Sequence, residues 1–243
     1  MYASLKRQAA VLSVTLITAC SGAPSPTPGF EAVDPEAPTE TTALMLRHFD
    51  HARTLSSAAI FGNPTRARRA AAAILAEGSV ADMPDDAAPA YDAFVASVAA
   101  VEQASGRSDL ASSAAAVARR CGACHLASGL GPSFAVGRPE EPVSPRDHIR
   151  VLAWGSSRMW ESLVGGSDLA WRAGARALSG ELLREDLYAS RASDLDAARA
   201  LSRQLHELGV EALSTSGADE RAALLGEVWG TCSGCHEVIG LAG

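Results

Sequence analysis

Several features that mark common functional classes are scarce or absent in this sequence. Aromatic residues make up only 5% of the 243 residues, and no alternating strand pattern bounded by hairpin turns is present. The formal net charge of −7 is the opposite of what a nucleic-acid-binding surface needs. No Gly-x-Ser-x-Gly, Walker or zinc-protease motif occurs. The many Ala, Leu, Arg and Glu residues instead favour an all-α protein. Because of its negative charge we expect the protein to bind no nucleic acid.

The apolar run 9–19 is too short to cross a bilayer as a finished helix. Two basic residues precede it, which is the arrangement of a secretory signal peptide. The run leads into Leu-Ile-Thr-Ala-Cys at 16–20, which resembles the lipobox of bacterial lipoproteins. The resemblance implies that residues 1–19 are a lipoprotein signal peptide and that Cys20 is the lipid attachment site. A chance cysteine behind an ordinary signal peptide is the alternative.

Residues 20–40 contain five prolines among Ser, Thr and Gly, a composition typical of an extended tether. Lipid chains on Cys20 would hold the folded body at the periplasmic side of a bacterial membrane. Ser21, rather than an aspartate, follows the cysteine, and by the same resemblance this favours the outer membrane.

Four of the five cysteines lie in two copies of one pattern, Cys-x-x-Cys-His, placed 111 residues apart. This pattern is the sequence of c-type haem attachment. Two cysteines three residues apart on a helical turn present their thiols to the two vinyl groups of one porphyrin, and the next histidine reaches the iron. We therefore expect two covalently bound haem c groups. The expected attachment residues and iron ligands are Cys121, Cys124 and His125 for one haem, and Cys232, Cys235 and His236 for the other.

Three other uses of the paired cysteines are weaker. Two Cys-x-x-Cys pairs can form one zinc site, but zinc does not require a histidine directly after each pair. A thioredoxin-type redox pair expects a βαβ context, of which the sequence shows no sign. A disulfide is compatible with an exported chain, yet it leaves each histidine unexplained.

The body of the chain contains one order of features twice. When Ala59–Ala67 is set over Ser162–Ala170, each half shows a helical run, a glycine break and a second helix, and each half ends in a Cys-x-x-Cys-His helix. The predicted helices span 41–61, 64–77, 87–105 and 108–126 in the first half, and 146–164, 167–184, 192–214 and 218–238 in the second.

The Gly- and Pro-rich segment 129–145 is expected to link the two halves. Four helices with short connections pack as an up-down bundle of antiparallel neighbours. We therefore predict two tandem four-helix bundles, at 41–128 and 146–243, each ending in the helix that carries a haem-attachment motif.

The position of the motifs separates two classes of cytochrome. Only seven residues follow His236, so the second haem must be served by the chain before it. This arrangement resembles the class II cytochromes, the cytochrome c′ type, in which the motif lies in the last helix of a four-helix bundle. In the class I cytochromes the motif lies near the start of the domain instead.

The sixth iron ligands are expected in the first two turns of the first helix of each half. In an up-down bundle these turns lie beside the C-terminal end of the fourth helix. In the first half we prefer His48, with Met45 and His51 as rivals, because helical spacing alone does not determine which side chain faces the iron. In the second half either His148 ligates the iron, or Leu152 fills an open distal pocket.

Other residues near the motifs have plainer expected uses. Trp229 is expected to pack against porphyrin or core. Arg119 and Arg120 are candidates for pairing with haem propionates, and a solvated helix face is the alternative. His206 is expected on the surface.

The function that these features favour is single-electron transfer in the periplasm by a membrane-anchored carrier, rather than catalysis. Its partners would be periplasmic or membrane redox proteins, and a homodimer is possible. The alternative is a cytochrome c′-like protein that binds or senses NO or CO at an open iron. A peroxidase is less favoured, because no distal His–Arg constellation is apparent.

Overall fold

The computed structural model describes residues 39–78, 85–129, 131–137, 144–180 and 182–242. All regular structure in these ranges is helical, which confirms the predicted all-α class. Besides two short 3₁₀ turns at Val101–Gln103 and Glu185–Leu187, the helices are α1 (Glu40–Ile60), α2 (Pro64–Ala76), α3 (Ala88–Ala100), α4 (Arg107–Ser128), α5 (Pro145–Gly165), α6 (Asp168–Leu178), α7 (Leu195–Ala212) and α8 (Ala218–Val238).

The predicted signal peptide, the predicted lipid attachment site at Cys20 and nearly all of the predicted tether lie outside the described residues. Of the expected linker 129–145, the described residues are 129, 131–137, 144 and 145; those up to 144 lie outside helices, whereas Pro145 is the first residue of α5. No helix in the described part of the chain is both long and apolar enough to cross a membrane.

Three predicted helices are more than two residues shorter in the structure: those expected at 87–105 and 192–214 span Ala88–Ala100 and Leu195–Ala212, and the one expected at 167–184 loses the most. The helix expected at 167–184 ends at Leu178, because α7 crosses at that point. A Cβ built on Gly209 of α7 would come 2.5 Å from the backbone nitrogen of Ser179, so the two backbones are in close contact. Gly180, a poor helix former, follows at once.

Side chains at the starts of α2, α5 and α6 explain where these helices begin. The side chain of Asn63 accepts from the backbone N–H of Arg66 at the start of α2, and the side chain of Ser167 accepts from that of Ala170 at the start of α6. Such caps satisfy backbone donors that the helix itself leaves free. Ser144 and Asp147 form a capping box at the start of α5.

The structure aligns the two halves of the repeat one residue differently from the sequence comparison, which paired residues 103 positions apart. Gly62 follows α1 with φ 64°, and Gly166 follows α5 with φ 69°. The left-handed conformation at these turns is open to glycine at little cost. Asn63 and Ser167 then cap the next helices. Equivalent residues of α1 and α5 are therefore 104 positions apart in the printed sequence.

The core is continuous through both halves. Buried side chains of all eight helices belong to one cluster, and they include Leu55, Ile74, Phe94, Val117, Met159, Trp171, Leu208 and Trp229. Because the cluster spans every helix, the two halves share a core.

Helices α4 and α8 lie antiparallel where the halves meet. A Cβ built on Gly226 would come 3.0 Å from the Cα of Ser112, and one on Gly230 would come 3.9 Å from the Cα of Ser108. Small residues allow this close approach of the two backbones. The antiparallel contact directs the C-terminal ends of α4 and α8, which carry the cysteine motifs, in opposite directions.

Candidate functional site

The two motifs occupy opposite ends of the α4–α8 pair. We call the group Cys121, Cys124 and His125 site one, and the group Cys232, Cys235 and His236 site two. The backbone contacts between α4 and α8 define which residues of the two helices lie at the same level. Gly230 of α8 faces Ser108 of α4. His125 lies 17 residues beyond Ser108, and His236 lies 6 residues beyond Gly230 in the opposite direction. The two histidines are therefore about 23 residues apart along the helix axis, which is about 35 Å at 1.5 Å per residue.

Each motif histidine is held by a backbone carbonyl of the other half. Nδ1 of His125 lies 3.0 Å from the carbonyl oxygen of Val164, at the end of α5. Nδ1 of His236 lies 2.9 Å from the carbonyl oxygen of Ile60, at the end of α1. Ile60 and Val164 are equivalent in the repeat register, so the exchange is reciprocal.

These hydrogen bonds determine the tautomer of both rings. A carbonyl oxygen only accepts, so Nδ1 of His125 and of His236 must carry the proton and donate it. The neutral ring then keeps its lone pair on Nε2. Histidines that ligate metals in proteins are held in this way by their other ring nitrogen.

The residue after the first cysteine of each motif lies at a helix crossing. A Cβ on Gly122 would overlap the backbone carbonyl oxygen of Leu163 in α5. Ser233, its counterpart in the second motif, is fully buried, and its Oγ would be 2.5 Å from a Cβ on Gly62. Each motif is therefore packed directly against the end of a helix of the other half.

Burial keeps the motif thiols protonated. It raises the pKa of Cys121 and of Cys232 to about 12, and it also raises the pKa of Cys124 and of Cys235. All four are free thiols in the structure. A reactive redox pair needs a lowered thiol pKa, so these surroundings do not favour the thioredoxin-type alternative.

The arrangement also bears on the zinc alternative. The two Cys-x-x-Cys pairs lie at opposite ends of α4 and α8, so they do not combine into one four-ligand site. Across the described ranges, no group of three or more His, Cys, Asp or Glu side chains is placed to hold a metal ion. A haem iron does not require such a group, because the porphyrin supplies four of its ligands.

His48 points into the protein at site one. It is only 7% exposed, and its Nε2 is buried without a hydrogen-bond partner. Its ring lies 5.9 Å from that of Phe94, which in turn lies 6.0 Å from Tyr91. Burial raises the pKa of Tyr91, and the neighbouring Cys124 raises it further. A chain of aromatic neighbours therefore connects His48 with the first motif.

The surroundings of His48 keep its imidazole neutral. Burial is the largest cause that lowers its pKa, and Glu77 opposes it in part. The rival His51 is turned toward α2, where its Nε2 lies 3.7 Å from Oε1 of Glu77. Met45 is half-buried in the turn before.

Site two has an aromatic ring against its histidine. Phe61 stacks on His236 with centroids 4.5 Å apart and an interplanar angle of 11°. Burial lowers the pKa of His236, and its hydrogen bond to Ile60 opposes this. Tyr188 lies near Cys235, which adds to the burial that raises the pKa of the tyrosine. Each motif therefore has a tyrosine near its second cysteine, Tyr91 at site one and Tyr188 at site two.

The two candidate residues of α5 differ in position. Leu152 is partly buried and packs against the core. His148 is half-buried and takes part in an interaction of its own. In the register of the repeat, Leu152 corresponds to His48, and His148 corresponds to the buried Leu44.

The structure shows the surroundings of three residues that lie near the motifs or were expected on the surface. Trp229 is buried in the core, as predicted, and its Nε1 donates to Oγ of Ser156 at 2.8 Å. Arg119 pairs with Asp219 at 3.0 Å. The surface assignment of His206 was wrong, because its side chain is half-buried and its Nδ1 is buried without a hydrogen-bond partner.

Sequence reasoning missed the carbonyl groups of Ile60 and Val164 and the stacked ring of Phe61. A backbone carbonyl carries no residue-type signal, so only the tertiary structure reveals it. The rings of Phe61, Tyr91 and Tyr188 are visible in the sequence. Their distances along the chain from the cysteine motifs do not indicate that they lie beside those motifs in the fold.

Comparison of the chain with models of protein families, with curated proteins and with solved structures found no match. The function is therefore argued from the geometry of the two sites.

Proposed function

We propose that the protein is a di-haem c-type cytochrome that carries single electrons. Cys121 and Cys124 would hold one haem through thioether bonds, with His125 as its proximal ligand. Cys232, Cys235 and His236 would hold the second haem in the same way. The observation that carries the proposal is the reciprocal pair of hydrogen bonds that leaves Nε2 of both histidines as the ligating atom.

The distal side of site one supports the same reading. The buried Nε2 of His48 has no partner, which costs about 1–3 kcal/mol for an ordinary polar group. Ligation to an iron would satisfy this atom. A lowered pKa leaves the ring neutral at physiological pH, which is the form that binds a metal.

The haem iron supplies a reversible one-electron couple, whose potential depends on its axial ligands and surroundings. The chain positions the two proximal rings with carbonyl groups and buries the first thiol of each motif. Phe61 restrains the ring of His236 by stacking. These are the tasks of an electron carrier, and we assign no catalytic residues.

In architecture we propose two tandem four-helix halves, 41–128 and 146–243, of the class II cytochrome type. The halves are interlocked, because α1 and α5 each reach the motif of the other half.

We further propose that a lipid on Cys20 anchors the protein to the periplasmic side of a bacterial membrane, preferably the outer membrane. Periplasmic or membrane redox proteins would be its partners, and a homodimer is compatible with the proposal. Because the two sites lie about 35 Å apart along α4 and α8, each would exchange electrons at its own end of the molecule.

The first test is maturation in an export-competent host that makes haem c. A denatured sample should contain two covalent haems per chain, measured by the pyridine haemochrome spectrum. Replacing Cys121 and Cys124 by Ala should leave one haem, and replacing Cys232 and Cys235 by Ala should also leave one. Absence of covalent haem from the wild-type protein would end this proposal and return the motifs to thiol or metal chemistry.

A further inference from the structure

The two halves can be compared residue by residue at their distal positions. The register is set by three pairs of equivalent features, each pair 104 residues apart: the turn glycines, the capping side chains of α2 and α6, and the carbonyls that hold the motif histidines. In this register His48 corresponds to Leu152. The position that carries a nitrogen ligand in one half therefore carries a hydrocarbon side chain in the other.

The surroundings of the two residues agree with this difference. His48 is buried with an unpartnered Nε2 on the side of site one. Leu152 is partly buried against the core and contains no atom that can ligate iron. Both side chains occupy the same face of equivalent helices, so the contrast lies in their chemistry and not in their direction.

His148 does not restore the missing ligand. It corresponds to Leu44, one helical turn nearer the start of the helix than Leu152. Met45, another ligand predicted for the first half, corresponds to Ile149 in the second half. The hydrocarbon side chain of Ile149 cannot ligate iron.

The geometry points to two unlike haem sites: site one is closed by His48, and site two is open beside Leu152 and binds a small neutral diatomic ligand such as CO. This inference rests on the proposed haem protein. An apolar distal side favours a neutral ligand over an anion, because burying an unpaired charge is costly. The protein would then combine an electron-carrying site with a gas-binding site about 35 Å away along the helices.

The experiment uses the mature di-haem protein, reduced with dithionite and titrated with CO while the visible spectrum is recorded. We expect one CO per chain. A variant that lacks the second haem, C232A/C235A, should bind none, and the variant that lacks the first haem, C121A/C124A, should still bind one. Electron paramagnetic resonance of the oxidised protein should show one low-spin and one high-spin iron.

Paired substitutions test the two distal residues. His48→Leu should raise the stoichiometry from one CO to two, whereas His51→Leu, a neighbour that faces Glu77, should leave it at one. Leu152→His should lower it to zero, whereas Ala153→His, on the exposed side of the same helix, should leave it at one. Circular dichroism checks that each variant is folded.

Three results would overturn the inference while leaving the haem assignment intact. Two CO per chain in the wild-type protein would mean that His48 is not a ligand. No CO in the wild-type protein, with one CO gained in His148→Leu, would make His148 the sixth ligand. One CO that survives in C232A/C235A would place the open site in the wrong half. Absence of covalent haem would instead overturn the proposed function itself.

Discussion

Nδ1 of His236 lies 2.9 Å from the carbonyl oxygen of Ile60, which is 176 residues earlier in the chain. The equivalent pair, His125 and Val164, has the same contact at 3.0 Å. Each of the two helices α1 and α5 therefore has one end at each site. Each helix carries the residue at the proposed distal position of its own half, His48 in α1 and Leu152 in α5. Its last turn provides the carbonyl group that binds the motif histidine of the other half.

The hydrogen bonds from the motif histidines to the ends of α1 and α5 have an electrostatic consequence. The last carbonyl groups of a helix carry partial negative charge, and both histidines donate to such a group. The acceptor increases the electron density of the imidazole and so favours the more positive, ferric state of a bound iron.

The first prediction concerns the crossing of α4 with α5. Gly122→Ala should lower the free energy of unfolding by about 3 kcal/mol, because its Cβ overlaps the carbonyl oxygen of Leu163 and backbone must move. Gly234→Ala is the matched control, since its Cβ would make an ordinary 3.4 Å contact with the side chain of Leu201. Urea unfolding of the two variants measures the difference, and equal midpoints would contradict the predicted crossing.

The second prediction concerns the buried indole of Trp229. Ser156→Ala removes the acceptor of its Nε1–H and should cost about 1–3 kcal/mol of stability, because a buried donor is left unpaired. Ser157→Ala is the control, because the neighbouring hydroxyl is exposed and bonds only to the carbonyl oxygen of Ala153. Thermal unfolding of both variants gives the comparison. A loss in Ser157→Ala as large as that in Ser156→Ala would show that the buried bond contributes nothing specific.

The third prediction is that the two haems of the proposed cytochrome titrate independently. Two unit charges about 35 Å apart at an effective dielectric constant of about 20 interact by about 0.5 kcal/mol, and salt screens this further. For a one-electron couple this energy corresponds to about 20 mV. Removing either haem should therefore shift the potential of the other by no more than this amount.

Spectroelectrochemical titration of C121A/C124A, C232A/C235A and the wild-type protein tests the third prediction. A shift above about 60 mV, which corresponds to about 1.4 kcal/mol for one electron, would show that the sites are coupled through the shared helices and not by charge alone.

The fourth prediction concerns the thiols of the haem-free chain. At pH 8 a thiol with a pKa of about 12 is thiolate in roughly one molecule in 10⁴, so Cys121 and Cys232 should react very slowly with iodoacetamide. All four cysteines are half-buried, and because the strongly raised pKa belongs to Cys121 and Cys232, the thiols of Cys124 and Cys235 should react first. Mass spectrometry of timed digests measures the order.

In 8 M urea, where burial is removed, all four thiols should react at similar rates. Equal rates for Cys121 and Cys124 in native buffer would contradict the predicted burial. If the predicted order holds, the thiols of Cys121 and Cys232 react slowly in the folded chain, so for the proposed cytochrome we expect haem attachment before the final packing of α4 and α8.

The local pattern of the sequence predicted most helices within a few residues. Asn63 and Ser167 act through their own neighbours, so their capping roles are readable from adjacent residues. The early end of α6 was not readable, because it depends on the contact of Gly209 with Ser179, 30 residues away in the chain. Similarly, the one-residue error in the repeat register was corrected by the positive φ angles of Gly62 and Gly166.

The sequence by itself determined the helical class, the identity of the six motif residues and the preference for His48, because these depend on composition, spacing and short-range helical geometry. Only the tertiary structure decided that His125 and His236 lie at opposite ends of a shared core and that each is held by the other half. The reason is physical: a carbonyl acceptor is present in every residue, and which one meets a given histidine depends on how the helices cross.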